Sequence, residues 1–341
     1  MFGDGIFTQE GAAWKHSRDL LRAPLQHKHY ENLDVFKDSV NDLIDILSSH
    51  SGMADLQPLF FRLTLDVTTK FLFGESVHSL KAPKFANEQR FSEAFNTAQA
   101  VVAKRSRLQD IYWMIGGSEF RRACSDVHEF TDQLIDRNIF RGYGKSHVFL
   151  SEVAGSTADR VALRGQIIGL MVAGRDTTAC LLTWIFFLLV RHPQVLEKLK
   201  EEIKEKCSGT ATLTRTGLRE MGYLQNVLKE TLRLYPSAPV NERKANKTTF
   251  LPTGGGPYRT APILIPKGAT VAYSIYAMHR RPDLYGMDAE LFRPERWDED
   301  MPMLHDKTNA AWGYLPFNGG PRTCLGREWG SRVENHCKHT Y

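Results

Sequence analysis

The chain has 341 residues, long enough for one large domain or two ordinary ones, and 42% of them are hydrophobic, so a sizeable core can be buried. The formal charge of +5 (44 basic minus 39 acidic residues) is spread along the chain without a basic run, which offers no support for a nucleic-acid partner. Five scattered cysteines, Cys124, Cys180, Cys207, Cys324 and Cys337, read as reduced thiols facing a cytosol-like compartment, not as a disulfide framework.

Helical patterns dominate the chain order. Thr8 marks a helix entry, with Trp14, Arg18 and Leu21 on one face, and Pro24 interrupts the pattern. Asn32 to Leu47 carries the apolar stripe Leu33, Phe36, Val40, Leu43, Ile44 and Leu47. Leu56 to Phe73 reads as a further helix. Phe91 to Phe120 is less regular and is broken at Gly116-Gly117, and Val127 to Phe140 is helical again. Residues 141–157 form a polar, glycine-containing loop. Asp159 then caps a long apolar helix that runs to Arg191. Its uncharged stretch from Thr177 to Val190 is fourteen residues. A membrane span needs about 17–25 residues, so the expectation is a buried core helix. No signal peptide or anchor precedes it in the sequence.

Pro193 opens the next helix, and Leu218 to Tyr235 forms another, ended by Pro236. Further on, Ile263-Leu264-Ile265, Pro266-Lys267-Gly268 and Val271-Ala272-Tyr273 predict a hairpin. The expected fold class is mainly α with a small β portion late in the chain.

Four constellations carry chemistry. Phe317-Asn318-Gly319-Gly320-Pro321-Arg322-Thr323-Cys324-Leu325-Gly326 sets one cysteine in a glycine-rich bend before a helix start. Such a bend can present a single thiolate to a metal, because backbone N–H groups and a metal both favour the ionised sulfur. Phe317 offers an apolar wall, Gly326 allows a flat cofactor to lie close, and Arg322 supplies a charge for a cofactor carboxylate. A lone cysteine in a loop is otherwise more often buried and inert.

The long helix contains Ala173-Gly174-Arg175-Asp176-Thr177-Thr178. The glycine costs about 1 kcal/mol against alanine in mid-helix and removes a side chain where something large must approach. Asp176 and Thr177 set an acid beside a hydroxyl, a pair able to relay protons. Equally, the threonine can bond its own helix carbonyl beside a solvated aspartate. Glu230 and Arg233 stand three apart on a helix, a spacing most often seen in surface pairs. Trp14 and Arg18 stand four apart and can point the same way, though an interfacial tryptophan beside a solvated arginine has the same spacing.

Taken in order, these segments resemble the cytochrome P-450 haem-thiolate monooxygenases. The cysteine loop fills every fixed position of Phe-x-x-Gly-x-Arg-x-Cys-x-Gly. The long helix resembles the oxygen-activation motif Ala/Gly-Gly-x-Asp/Glu-Thr-Thr/Ser. Glu230-Thr231-Leu232-Arg233 resembles Glu-x-x-Arg, and Phe292-Arg293-Pro294-Glu295-Arg296-Trp297 resembles the Pro-Glu-Arg segment. The resemblance implies an incomplete cytochrome P-450 fold, with residues 1–341 as a single haem-thiolate monooxygenase domain. It implies haem b held by Cys324 as axial ligand, with propionates met by Trp14, Arg18, Arg243 and Arg322. Asp176 and Thr177 would manage proton delivery and O–O cleavage. Glu230 would sit between Arg233 and Arg296 in a buried network that holds the cysteine loop.

Gly3-Asp4-Gly5-Ile6-Phe7-Thr8, Leu251-Pro252-Thr253-Gly254-Gly255-Gly256 and His279-Arg280-Arg281 resemble the fungal branch that hydroxylates alkanes and fatty acids. That implies O2, an aliphatic substrate, and an NADPH–cytochrome reductase as electron donor. Leu170, Ala173 and Val240 would face the substrate, although core packing explains each equally well. An intact member sits at the cytosolic face of the endoplasmic reticulum membrane. Relative to that pattern the chain lacks the N-terminal anchor and the end of the C-terminal region. The tail with His336, Cys337 and His339 reads as a solvated end, not a metal site. A non-catalytic remnant, or a haem-binding module without turnover, stays open as an alternative.

Overall fold

A computed structural model describes residues 1–22, 24–25, 34–81, 87–140, 153–155, 159–207, 214–305 and 310–327. The stripe residue Leu33, most of the loop at 141–157, and the tail with His336, Cys337 and His339 lie outside the described residues. The chain divides into two compact units. The first holds Met1–Thr183, Gly209–Glu220 and Leu325–Tyr341; the second holds Trp184–Ser208 and Met221–Cys324.

In the first unit, α1 (Gly11–Arg22), α2 (Asp34–Ser49), α3 (Leu56–Phe73), α4 (Asn87–Leu108) and α5 (Ser118–Phe140) precede the long α6 (Arg160–Arg191). Several boundaries have a local cause. The Asp55 carboxylate accepts the Gln57 N–H at the start of α3, and Gly74, at φ +75°, ends it in the left-handed region. Asp159 accepts the Val161 N–H at 2.8 Å and caps α6. Leu65 and Phe73 of α3, Phe95 of α4, Ile135 of α5, and Ile167, Ile168 and Met171 of α6 are fully buried together. Removing such side chains from water stabilises by about 1.5–3 kcal/mol each and makes this face of α6 part of the core.

The expectation of a buried core helix fits only part of α6. By length and composition it could cross a membrane, and 28% of its most apolar window is buried. Phe186, Phe187 and Val190 near its end are 43%, 47% and 77% exposed.

The N-terminal Gly3-Asp4-Gly5 turn lies against α6. A Cβ on Gly165 would sit 2.4 Å from the Asp4 carbonyl oxygen, so only glycine allows this approach. The Ile6 N–H donates to Gln166 Oε1 at 3.0 Å, and Gln166 Nε2 donates to the Ser17 hydroxyl at 2.6 Å. The Gly-Asp-Gly segment is thereby tied to both α6 and α1.

In the second unit, residues 184–191 of α6 are followed by α7 (Pro193–Lys206) and α9 (Gly222–Leu234); α8 (Arg215–Glu220) is counted with the first unit. The single helix expected from Leu218 to Tyr235 is therefore two, parted at Met221.

The predicted hairpin is corrected. Strand β3 (Ala261–Ile265) pairs antiparallel with β2 (Thr249–Gly255), while β4 (Thr270–Ser274) pairs antiparallel with β1 (Val240–Lys244). The turn at 266–268 exists, with Gly268 at φ +87°. Residue 245 at the end of β1 takes the place a hairpin partner would occupy: its N–H donates to the Ala269 carbonyl at 2.9 Å and its carbonyl accepts from Gly268 at 2.7 Å. Pro266 has no N–H to offer a ladder.

Candidate haem-thiolate site

In the second unit the cysteine loop is held by its own backbone. Asn318 and Gly320 are at φ +65° and +72°. The Cys324 N–H donates to the Phe317 carbonyl at 3.0 Å, and the Thr323 N–H donates to the Gly320 carbonyl at 3.0 Å. Tyr273 of β4 donates its hydroxyl to the Asn318 side chain at 2.7 Å. A Cβ on Gly319 would lie 2.6 Å from the Trp312 ring, so any side chain there would force that exposed ring to shift. The result is a rigid bend with Cys324 exposed and Phe317 half-buried.

The same unit holds a fully buried charge network. Glu230 accepts from Arg233 Nε at 2.8 Å and Nη2 at 2.8 Å, from Arg296 Nε at 3.0 Å, from the Arg293 N–H at 3.0 Å and from Trp297 Nε1 at 3.1 Å. Glu230, Arg233 and Arg296 are 0% exposed. The remaining guanidinium protons are used. Arg233 Nη1 donates to the His279 and Ala289 carbonyls at 2.7 and 2.6 Å. Arg296 Nη1 donates to the Tyr285 carbonyl at 2.8 Å and to Asp288 Oδ1 at 3.0 Å. This completeness is what makes buried charge tolerable, since an unmatched ion costs several kcal/mol. Two carboxylates, Glu230 and Asp288, face the two buried arginines. Sequence spacing offered no sign of Asp288, Trp297 or His279 as partners.

Arg243 lies on β1, its Nη1 bonded to the Asn241 side chain at 2.9 Å and to the Glu242 carbonyl at 2.8 Å. Arg322 is half-buried in the loop, and Val240 at the start of β1 is 58% exposed.

In the first unit, the Arg18 guanidinium carbon lies 5.7 Å from the Trp14 ring centroid, a cation–π pair on one face of α1. On α6 the Thr177 hydroxyl donates to the Ala173 carbonyl at 2.6 Å, one of the two readings its sequence allowed. Asp176 is not a solvated carboxylate. It accepts from Arg175 Nη1 at 2.9 Å and from Gln99 Nε2 of α4. Burial pushes its carboxyl up from the ordinary range, opposed by the Arg175 charge and then by the Gln99 bond. Arg175 itself is 1% exposed, donates to Asn96 Oδ1 at 2.9 Å, and lies 4.9 and 5.2 Å from the Phe61 and Phe95 rings.

Gly174 makes room for a neighbouring helix: a Cβ there would lie 2.8 Å from the Thr68 hydroxyl of α3. Leu170 and Ala173 are half-buried on the same helix. An arginine inside an apolar helix, and Asn96 and Gln99 three apart on α4, were the available signals for this cluster.

The donor set fits a haem. Among the described residues no group of three His, Cys, Asp or Glu side chains could hold a metal ion by itself. An exposed thiolate donor in a pinned loop suits an iron whose other ligands come from a porphyrin. Fold and site define a mainly α haem-thiolate oxidoreductase. The cytochrome P450 family model matches residues 1–331, and the chain belongs to that family. Its members are monooxygenases that use haem b, O2, a redox partner and a hydrophobic substrate.

The chain is 46% identical over 340 residues to a cytochrome P450 of Arthroderma benhamiae, covering 96% of this chain and 67% of that relative. It is 42% identical over 355 residues to cytochrome P450 52A12 of Debaryomyces hansenii, again 96% and 67%. Cytochrome P450 52A1 of Candida tropicalis is 42% identical over 351 residues, 96% of this chain and 63% of the relative. The chain thus spans about two thirds of the length of the curated relatives it matches.

Proposed function

We propose that residues 1–341 form one haem-thiolate monooxygenase domain that hydroxylates a long-chain aliphatic, an n-alkane or fatty acid, at or near its terminus. The observation that carries the reading is Cys324, exposed at the end of a loop whose backbone is pinned from Phe317 to Cys324. Bound haem supplies activation of O2, and a thiolate ligand increases electron density at its iron.

The chain's own residues take the other roles. Cys324 holds the iron from the loop. Trp14, Arg18, Arg243 and Arg322 bind the carboxylates that keep the ring in register. Phe317 screens the sulfur from water, and Gly326 leaves the ring room. Glu230, Arg233 and Arg296 keep the loop base rigid. Asp176 takes up a proton and hands it on, with Thr177 as the hydroxyl beside it. Leu170, Ala173 and Val240 orient the aliphatic chain. An NADPH–cytochrome reductase supplies electrons, and the reaction takes place at the cytosolic face of the endoplasmic reticulum membrane.

The test uses the reduced, haem-loaded protein under carbon monoxide. A thiolate-type Soret band is expected, and Cys324→Ala should abolish it. Retention of the band in that variant refutes the ligand assignment, and absence of any haem band in the parent chain supports a non-catalytic remnant. With a fungal reductase, NADPH oxidation coupled to a hydroxylated fatty acid separates the enzyme from a haem-binding module without turnover.

A further inference from the structure

The segment His279-Arg280-Arg281 marks a likeness in sequence, and the proposed chemistry gives His279 no part. The ring is nevertheless 0% exposed, and both its nitrogens are engaged. The Leu315 N–H donates to Nε2 at 2.8 Å. A backbone N–H can only donate, so Nε2 carries no proton. The proton of the neutral ring is therefore on Nδ1, which donates to the Arg233 carbonyl at 3.1 Å. The ring also stacks on Tyr314, with centroids 5.2 Å apart.

These bonds form a continuous path within the second unit. Arg233 carries the guanidinium clasped by Glu230. Leu315 leads into the cysteine loop, where its carbonyl accepts the Asn318 N–H at 3.1 Å and the Phe317 carbonyl accepts the Cys324 N–H at 3.0 Å.

We propose that His279 is a positioning residue: a neutral imidazole in one tautomer that ties α9 at Arg233 to Leu315 and so sets where the cysteine loop stands. The proposal rests on the reading of Cys324 as the iron ligand, and acts through Leu315, without contact to substrate or haem.

The discriminating variants are His279→Phe and His279→Gln in the full chain. Phenylalanine keeps a ring against Tyr314 and loses both polar bonds. Glutamine loses the ring and keeps one acceptor and one donor at similar reach. The first readout is amide hydrogen exchange at Leu315, which needs no haem. Exchange should quicken about tenfold or more in His279→Phe and stay near the parent rate in His279→Gln. The second is the reduced carbon monoxide spectrum, in which the thiolate-type band should fall in His279→Phe and be rescued in His279→Gln.

If His279→Phe leaves Leu315 protected, or if the Phe and Gln variants lose protection equally, the proposal is overturned. Where His279→Phe does not accumulate folded, His279→Asn replaces it, since its shorter amide reaches Arg233 and not Leu315. Cys324→Ala run alongside separates the two claims: a persisting band in it refutes the ligand reading, while Leu315 exchange still decides the role of His279.

Discussion

Asp176 is a carboxylate pulled two ways. Burial drives it toward the neutral acid, and Arg175 and Gln99 hold it toward the anion. A carboxyl raised by burial and held by two donors suits proton transfer. Asp176→Asn keeps the shape and the Arg175 contact through its amide oxygen, and removes the titrating proton. Product formation should slow by about 100-fold or more with KM changed little, since an interaction specific to the proton transfer has been lost. Steady-state kcat and KM, measured separately, check this. An equal rise in KM would assign Asp176 to substrate binding instead. Asp176 and Thr177 were legible as candidates because one short run of chain, Ala173 to Thr178, defines the motif. The partners of Asp176 were not, because Gln99 is 77 positions away and meets it only after α4 packs on α6.

Elements impose their own requirements on single positions. The Glu230 helix, α9, was readable from its periodicity and its Glu-x-x-Arg spacing. Spacing alone could not say that the pair is fully buried, since exposed pairs three apart look the same in sequence. Burial reverses the energetics. A surface pair contributes a few tenths of a kcal/mol, whereas removing one side of a buried network leaves charge uncompensated. Glu230→Gln should therefore destabilise by about 3–5 kcal/mol, read as a lower urea midpoint with an unchanged slope. Gly174 shows the same shift from local to packed reasoning. Its lack of a side chain reads in sequence as space for an approaching group. The structure places Thr68 of α3 in that space. Strand pairing also belongs to this scale: the turn at 266–268 was visible, but β1 and β2 compete for the strands on either side and take one each.

For the whole molecule, acid sensitivity follows from buried histidine. Burial pushes His279 down to about 4, with backbone acceptance by Arg233 opposing and the Arg233 and Arg280 charges assisting. Burial also lowers His128, whose Nε2 lies 2.8 Å from the Met1 carbonyl. A lowered histidine leaves the unfolded chain binding more protons than the folded one. Its contribution is present above about pH 6.5 and is lost as pH falls toward 4. The raised carboxyls of Asp66 and Asp176 act with the opposite sign, since acid relieves the cost of burying their charge. The melting temperature should fall between pH 6.5 and 4, and His279→Gln should flatten that fall by an amount on the order of 3 kcal/mol. An unaltered slope in the variant would remove His279 from the acid response.

What the amino-acid sequence determined by itself is what neighbouring residues can settle among themselves. Helix periodicity, the cap at Asp159, the bend before Cys324 and the four ordered motifs all lie within a turn or two of chain. Only the tertiary structure decided that Glu230 is sealed from water, that Asp176 faces a guanidinium and an amide, that β3 and β4 part company, and that His279 bridges Arg233 to Leu315. Those outcomes depend on contacts between segments tens of residues apart, where burial and a low local dielectric set the strength of each bond. No spacing along the chain encodes them.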